Sequence, residues 1–193
     1  MAYATLTQVK AYLSITAATD DGLLTDLIGR AQATLEAQMA RTFEALADST
    51  KRFDALRDVS DDRRTLYVEP DLCQITSVTN GDGVAVAGTA YTLEPRSAPY
   101  YALRLKASSG LTWTYATDPE DAIGIVGRWA YSVSAPADIV QACIRLAAYL
   151  YRQRDSGAEM DRAQMSMTGV MMLPSRMPKD VETLIEPYKR RTP

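Results

Sequence analysis

The sequence predicts an α+β fold: a helical core of about four helices, the long helix of the C-terminal half at its centre, with an inserted antiparallel β subdomain. Three observations carry that expectation. Residues 135–154, APADIVQACIRLAAYLYRQR, form the longest uninterrupted apolar helical pattern. A second stripe, Leu23, Leu24, Leu27, Ile28, Ala31, Leu35 and Met39, recurs at three- and four-residue spacing. Between the two, residues 101–106, 111–115 and 123–131 each alternate with period two, which is the pattern of a sheet with one buried face.

In chain order, Thr7 to Leu13 predicts a short helix with Thr7 as its N-cap. A second helix is expected from about Asp20 to Met39. The carboxylates of Asp20 and Asp21 sit in or beside its first turn, where negative charge favours the helix dipole. Adjacent residues on a helix point in different directions, so the pair reads as a cap rather than as metal ligands. Gly22 and Gly29 weaken this helix, and tertiary packing must hold it.

Ser49 to Ala55 predicts an edge strand with Phe53 inward, followed by the charged loop DVSDDRR. Leu66 to Glu69 is a short strand that Pro70 should end. Residues 72–79 alternate into Asn80-Gly81-Asp82-Gly83, a hairpin signal because Asn and Gly tolerate positive φ. That tetrad lacks the further carboxylates and terminal Glu of a calcium loop. Val84–Val86 and Tyr91–Leu93 continue the meander. Further strands are expected with Tyr101, Leu103 and Leu105 on one face, then Leu111, Trp113 and Tyr115, then Ile123, Ile125, Gly127, Trp129 and Tyr131. The aromatic face of Trp113, Tyr115, Trp129 and Tyr131 reads as sheet core rather than as a sugar or base platform.

In the long helix, Pro136 suits the first turn, and Asp138 and Arg152 with Arg154 complement the dipole at its two ends. Ile139, Cys143, Leu146, Ala147 and Leu150 form its apolar stripe, widened by Val140, Ile144 and Tyr151. Gln141, Arg145 and Arg152 lie opposite. The run 155–178 then holds six of the eight methionines. It reads either as a loop whose Met side chains fill core gaps or as an adaptable apolar arm that orders on a partner. A closing helix is expected from Lys179 to about Tyr188. The expected organisation is a helical core of residues 1–48 and 134–193, a β subdomain of residues 49–133, and a mobile Met-rich arm at 155–178.

Composition excludes several functions. With no histidine, the commonest general base, the commonest metal ligand and every Ser-His or Cys-His pairing are missing. No paired-cysteine zinc spacing, phosphate-binding GxxxxGK[ST] or GxGxxG occurs. Cys73 and Cys143 read better as small buried hydrophobes in a reducing compartment than as a disulfide. Asp61-Asp62 and Glu120-Asp121 read as solvated turns. The net charge of −3 offers no global footprint for nucleic acid; the basic cluster is the tail Lys189-Arg190-Arg191. No apolar run is long enough to span a bilayer, and residues 1–10 lack the apolar core of a signal peptide. The chain is therefore expected to stay in the compartment where it is made.

Several segments together resemble the tailed-phage head-to-tail connector family, also called head-completion or adaptor proteins. They are TLTQVKAYL, DDGLLTDLIGRAQATLE, RTLYVEPDLCQITSVTNGDG, AYTLEPRSAPYYALRL, the Ile123-Gly124-Ile125-Val126-Gly127 strand, and Pro136-Ala137-Asp138-Ile139 leading to Leu150-Tyr151-Arg152. The close through Leu173-Pro174 to Pro187-Tyr188-Lys189-Arg190 completes the order. Residues 41–64 and the Met-rich run match least.

The resemblance implies a structural protein of the virion neck with no catalytic residues, cofactor or metal. It would form a ring beneath the portal vertex, extend the DNA channel, and attach the next neck or tail component. Its partners would be the portal protein, a downstream neck or tail protein and copies of itself. DNA would pass without sequence-specific binding, and no membrane would be involved. The protein would be made in the host cytoplasm and reside in the virion. The candidate portal or neighbour interface is Met165, Met167, Val170, Met171, Met172, Leu173, Arg145 and Arg152, and the basic tail Lys189, Arg190 and Arg191 is a separate candidate. Two other readings stay open: a small-ligand-binding β module using Trp113 and Trp129, and a metal-dependent hydrolase using carboxylates.

Overall fold

Two stretches of helix, far apart in sequence, share one set of contacts, and a β unit is spliced between them. The computed structural model describes residues 2–155, 164–165, 171–172 and 177–190. Its contacts divide the chain into a unit of Met1–Ala40 with Pro136–Pro193 and a unit of Arg41–Ala135.

The helical unit contains α1 (Leu6–Leu13), α2 (Asp21–Met39), α3 (Ala137–Asp155) and α4 (Lys179–Ile185), the last followed by a 3₁₀ turn over Glu186–Tyr188. α3 touches each of the other three helices. That central position explains its composition: Ile139, Ala142, Cys143, Ile144, Leu146, Ala147 and Ala148 are all buried. From α2 the stripe Leu24, Leu27, Ile28, Ala31, Leu35 and Met39 faces inward. Leu23, expected in that stripe, turns outward and is 36% exposed.

The N-cap of α1 is Thr5, not Thr7. The Thr5 hydroxyl accepts from the Gln8 backbone N–H at 3.2 Å, and the Gln8 side chain accepts from the Thr5 N–H at 2.8 Å. This reciprocal box satisfies two helix-end donors at once, which Thr7, inside the first turn, cannot do. Asp20 is the N-cap residue of α2, yet its side chain makes no cap hydrogen bond; other groups claim it.

The β unit has two antiparallel three-stranded sheets. One has the order β1 (Ser49–Phe53), β6 (Ile123–Arg128), β3 (Gln74–Thr79); the other has the order β2 (Thr65–Leu72), β5 (Tyr100–Leu105), β4 (Tyr91–Glu94). Both feed one core, to which Phe53, Leu66, Leu72, Val78, Leu103, Leu105, Ile123 and Ile125 contribute. β1 is an edge strand with Phe53 inward, as its alternation requires. Gly127 lets β6 approach β3: a Cβ there would lie 2.2 Å from the Gln74 carbonyl oxygen. Residues 41–44 also belong to this unit. Arg41 pairs with Asp71 at 3.4 Å, and the Tyr131 N–H donates to the Thr42 carbonyl at 2.8 Å.

Four expectations for this unit change. β2 runs through Pro70 to Leu72, because the ladder with β5 is irregular between Tyr67 and Leu72 and demands no N–H from the proline. Residues 84–86 make a single bridge, Thr79 to Ala85, instead of a strand. Residues 111–115 form no strand either. Trp113 is drawn into the core while Leu111 stays 39% exposed; apart from an isolated Gly81–Tyr115 bridge, no neighbouring strand pairs with them. Tyr101 points outward at 56% exposure, although Leu103 and Leu105 on the same strand are buried.

Candidate assembly surface

The end of α3 brings a set of aromatic and charged side chains together. Helix periodicity puts Tyr151 and Arg154 three residues apart on one side. Both reach Asp20 at the start of α2. The Tyr151 hydroxyl donates to Asp20 Oδ2 at 2.5 Å and Arg154 Nη1 to Oδ1 at 3.2 Å. Those two bonds, the Tyr151 bond first, hold the Asp20 carboxyl below its ordinary range. The Arg154 guanidinium also lies 4.8 Å from the centre of the Tyr151 ring. Beside them Lys10 on α1 pairs with Asp21 at 2.5 Å.

Of the candidate interface residues, Arg152 lies on this surface. It is exposed, and its guanidinium carbon sits 6.0 Å from the ring centre of Tyr12, itself 43% exposed. Arg145 is placed differently. Its Nη1 donates to Asp180 Oδ2 at 2.6 Å, tying α4 to α3 and holding the Asp180 carboxyl below its usual range. The polar stripe of α3 is therefore partly covered by α4, which seats Val181 and Ile185 in the core.

Met165 lies in β7 (Gln164–Met165), and Met171 and Met172 form β8 (Met171–Met172). The two pair antiparallel, Met165 opposite Met171 and Gln164 opposite Met172. Met167, Val170 and Leu173 lie outside the described residues, as does Arg191 of the basic tail. Most of the run read as a mobile Met-rich arm also lies outside them. Of the rest of the tail, Lys189 pairs with Glu186 at 2.5 Å, and the Arg190 N–H donates to the Met39 carbonyl at 3.3 Å.

Sequence reasoning reads Asp20 and Arg154 as separate responses to two helix dipoles and sets Tyr12 on one face of α1 with Val9 and Leu13, whereas Val9 is buried and Tyr12 is exposed. The available signal is opposite charge at two helix ends, which does not say that the ends meet.

The tryptophans sit inside the β unit. Trp113 is fully buried and its indole N–H donates to the Arg64 carbonyl at 3.2 Å; that of Trp129 donates to the Ser49 carbonyl at 2.9 Å. A stacking platform would need at least one open ring face, and Trp113 has none. Among the described residues no cluster of three His, Cys, Asp or Glu side chains is placed to hold a metal ion, and no helix is long and apolar enough to cross a membrane.

No curated protein matches the chain. Among solved structures, a chain from the neck of an empty gene transfer agent (GTA) particle, computed with C6 symmetry, is similar in fold. It is 20% identical with a TM-score of 0.59, over 97% of this chain and 89% of that one. A chain from the virion of a native GTA particle is 19% identical with a TM-score of 0.58, over 97% and 89% of the two chains. A third, from the neck of a native GTA particle computed with C12 symmetry, is 18% identical with a TM-score of 0.52, over 92% and 94%. At these identities the likeness is one of fold. The sequence profile of the head completion protein family matches residues 2–191. With nearly its whole length matched, the chain belongs to the head completion protein family.

Proposed function

We propose that this protein is a structural, non-enzymatic subunit of a virion neck. Copies of it form a ring beneath the portal vertex, extend the DNA channel and offer the attachment surface for the next neck or tail component. The family match over residues 2–191 carries this reading. The similarity of its fold to chains from GTA necks of sixfold and twelvefold symmetry supports it.

In this reading the Met-rich run supplies apolar surface that becomes buried on the portal or on a neighbouring copy. Burial of Met and Leu side chains offsets the entropy lost when such a segment is held. Arg152 and Tyr12, exposed at the end of the helical unit where that run begins, rim the same contact. The net charge of −3 suits a channel that must release DNA, since each phosphate neutralised by a cation would hold the duplex.

The test is to mix the protein with the portal protein encoded near its gene and to follow the mixture by sedimentation and negative-stain imaging. The expected result is an added ring on the portal. A free monomer beside intact portals would overturn the proposal.

A further inference from the structure

We propose that adjacent copies in the ring are joined by a charged contact between their β units: the acidic turn Asp118–Asp121 of one copy seats in a basic cleft of the next. The inference rests on the ring reading above.

The cleft has a volume of about 470 Å³, and its wall includes Gln74, Ile75, Tyr91, Tyr100, Arg96 and Lys106. Among the described residues, both charged residues of the wall are cations and no carboxylate lines it. Lys106 is held in place by its Nζ donating to the Thr89 carbonyl at 2.7 Å, a bond that leaves its charge uncompensated. Arg96, on the exposed tip of the β4–β5 hairpin, has no hydrogen-bond or ion-pair partner among the described residues. Burial pushes the Tyr91 phenol up, so its hydroxyl stays a neutral donor.

The turn is the complement. Its backbone is pinned, because the Ala55 N–H donates to the Pro119 carbonyl at 2.8 Å and Arg52 Nη1 donates to the Asp121 carbonyl at 3.3 Å. Its carboxylates are not: Asp118 and Glu120 are exposed and have no partner among the described residues. A rigid backbone carrying free charges loses little conformational freedom on docking.

Strand pairing shows why turn and cleft do not meet within one copy along this sheet. β6 starts at Ile123, just after the turn, and ends at Arg128, which pairs with Gln74 of the cleft wall. The two features therefore lie at opposite ends of one strand, roughly 20 Å apart at about 3.3 Å per residue. Complementary patches at opposite ends of a unit favour a head-to-tail contact, the type that closes into rings. Exposed charge pairs add little affinity but set register and encounter rate, so the contact should be salt-sensitive.

Three variants of the full chain test this: Arg96→Glu with Lys106→Glu, Asp118→Lys with Glu120→Lys, and all four together. Thermal melts establish that each folds. Each two-site variant should need about tenfold more protein to decorate portals, a factor worth about 1.4 kcal/mol. The four-site variant should recover most of that loss. As a check that requires no charge reversal, Arg96→Cys combined with Glu120→Cys should yield a disulfide-linked ladder on portals under mild oxidation, and neither substitution alone should.

If wild type decorates portals and both reversed variants do so equally well, with no ladder, the contact is wrong while the ring stands. If only the cleft variant fails, the cleft takes another acidic partner and the contact between copies is overturned. If wild type never joins the portal, ring and contact fall together.

Discussion

The Tyr151 hydroxyl donates to the Asp20 carboxylate at 2.5 Å, joining residues 131 positions apart and fastening the last turn of α3 to the start of α2. Arg154 adds a second bond to the same carboxylate. The Met-rich run begins one residue beyond Arg154, so this cluster anchors the end of α3 at its junction with that run. Tyr151→Phe should speed amide hydrogen exchange in the last turn of α3 and leave exchange in the β unit unchanged. Unchanged exchange at residues 150–154 would show that the bond holds nothing.

Asp20 of this cluster and Asp180, which Arg145 engages, give stability a pH dependence of known sign. Asp20 and Asp180 both have folded pKa values below the unfolded carboxylate value of about 3.9. The folded state then binds fewer protons than the unfolded one near that pH. Their contribution is fully present above about pH 4 and is lost as pH falls through the folded values. Melting temperature should drop below about pH 4, and the drop should be shallower in Asp20→Asn with Asp180→Asn. Melts from neutral pH downward measure it; an equally steep drop in the double variant would assign the effect to other groups.

Two glycines should respond in opposite directions to alanine. Gly127→Ala places a Cβ 2.2 Å from the Gln74 carbonyl oxygen, backbone that cannot easily give way. The expected loss is about 1–3 kcal/mol in urea unfolding. Gly29 lies within α2 with nothing within 4 Å of the added atom. Gly29→Ala should stabilise by about 0.5–1 kcal/mol, because it removes backbone freedom from the unfolded chain.

Thiol labelling should report the packing of α3. Cys143 is fully buried, and burial pushes its thiol up to about 11; Cys73 is also buried and raised. Near pH 8 both thiols should label slowly in native protein and at once in denaturant, since the thiolate is the reacting species. Rapid labelling of Cys143 in native protein would mean that α3 opens readily.

Deletion of residues 160–173 separates folding from attachment. The circular dichroism spectrum and the thermal melt should be nearly those of wild type, while portals mixed with the variant should stay undecorated. Normal decoration would remove the Met-rich run from the proposed interface.

The legible parts of the fold are those with a complete local pattern. The α2 and α3 stripes, the inward Ile123 and Ile125, and the turn at Asn80–Gly83 follow from periods of 3.6 and 2 and from residues that tolerate positive φ. The misread parts need a partner to be known. Leu111, Trp113 and Tyr115 alternate as a strand would, yet apart from the isolated Gly81–Tyr115 bridge no described strand pairs with them, so only Trp113 is fully buried while Tyr115 packs at the core's edge. Pro70 looks like a strand end in the sequence because its ladder irregularity is a property of β5 as much as of β2. In the candidate surface, Arg145 and Arg152 are visible as one polar stripe. Asp180, which engages the first, and Tyr12, which lies against the second, come from other helices.

By itself the sequence determined the four helices and the strands that carry a complete local pattern, most of the apolar face of each, and, through the order of its segments, the family. Those properties are local or linear, and a single chain carries them in full. Only the tertiary structure decided that Asp20 serves Tyr151 and Arg154 instead of capping its own helix, and that Arg145 is engaged by Asp180. Periodicity states that a face must be covered; it carries no address for the residue on another helix that covers it.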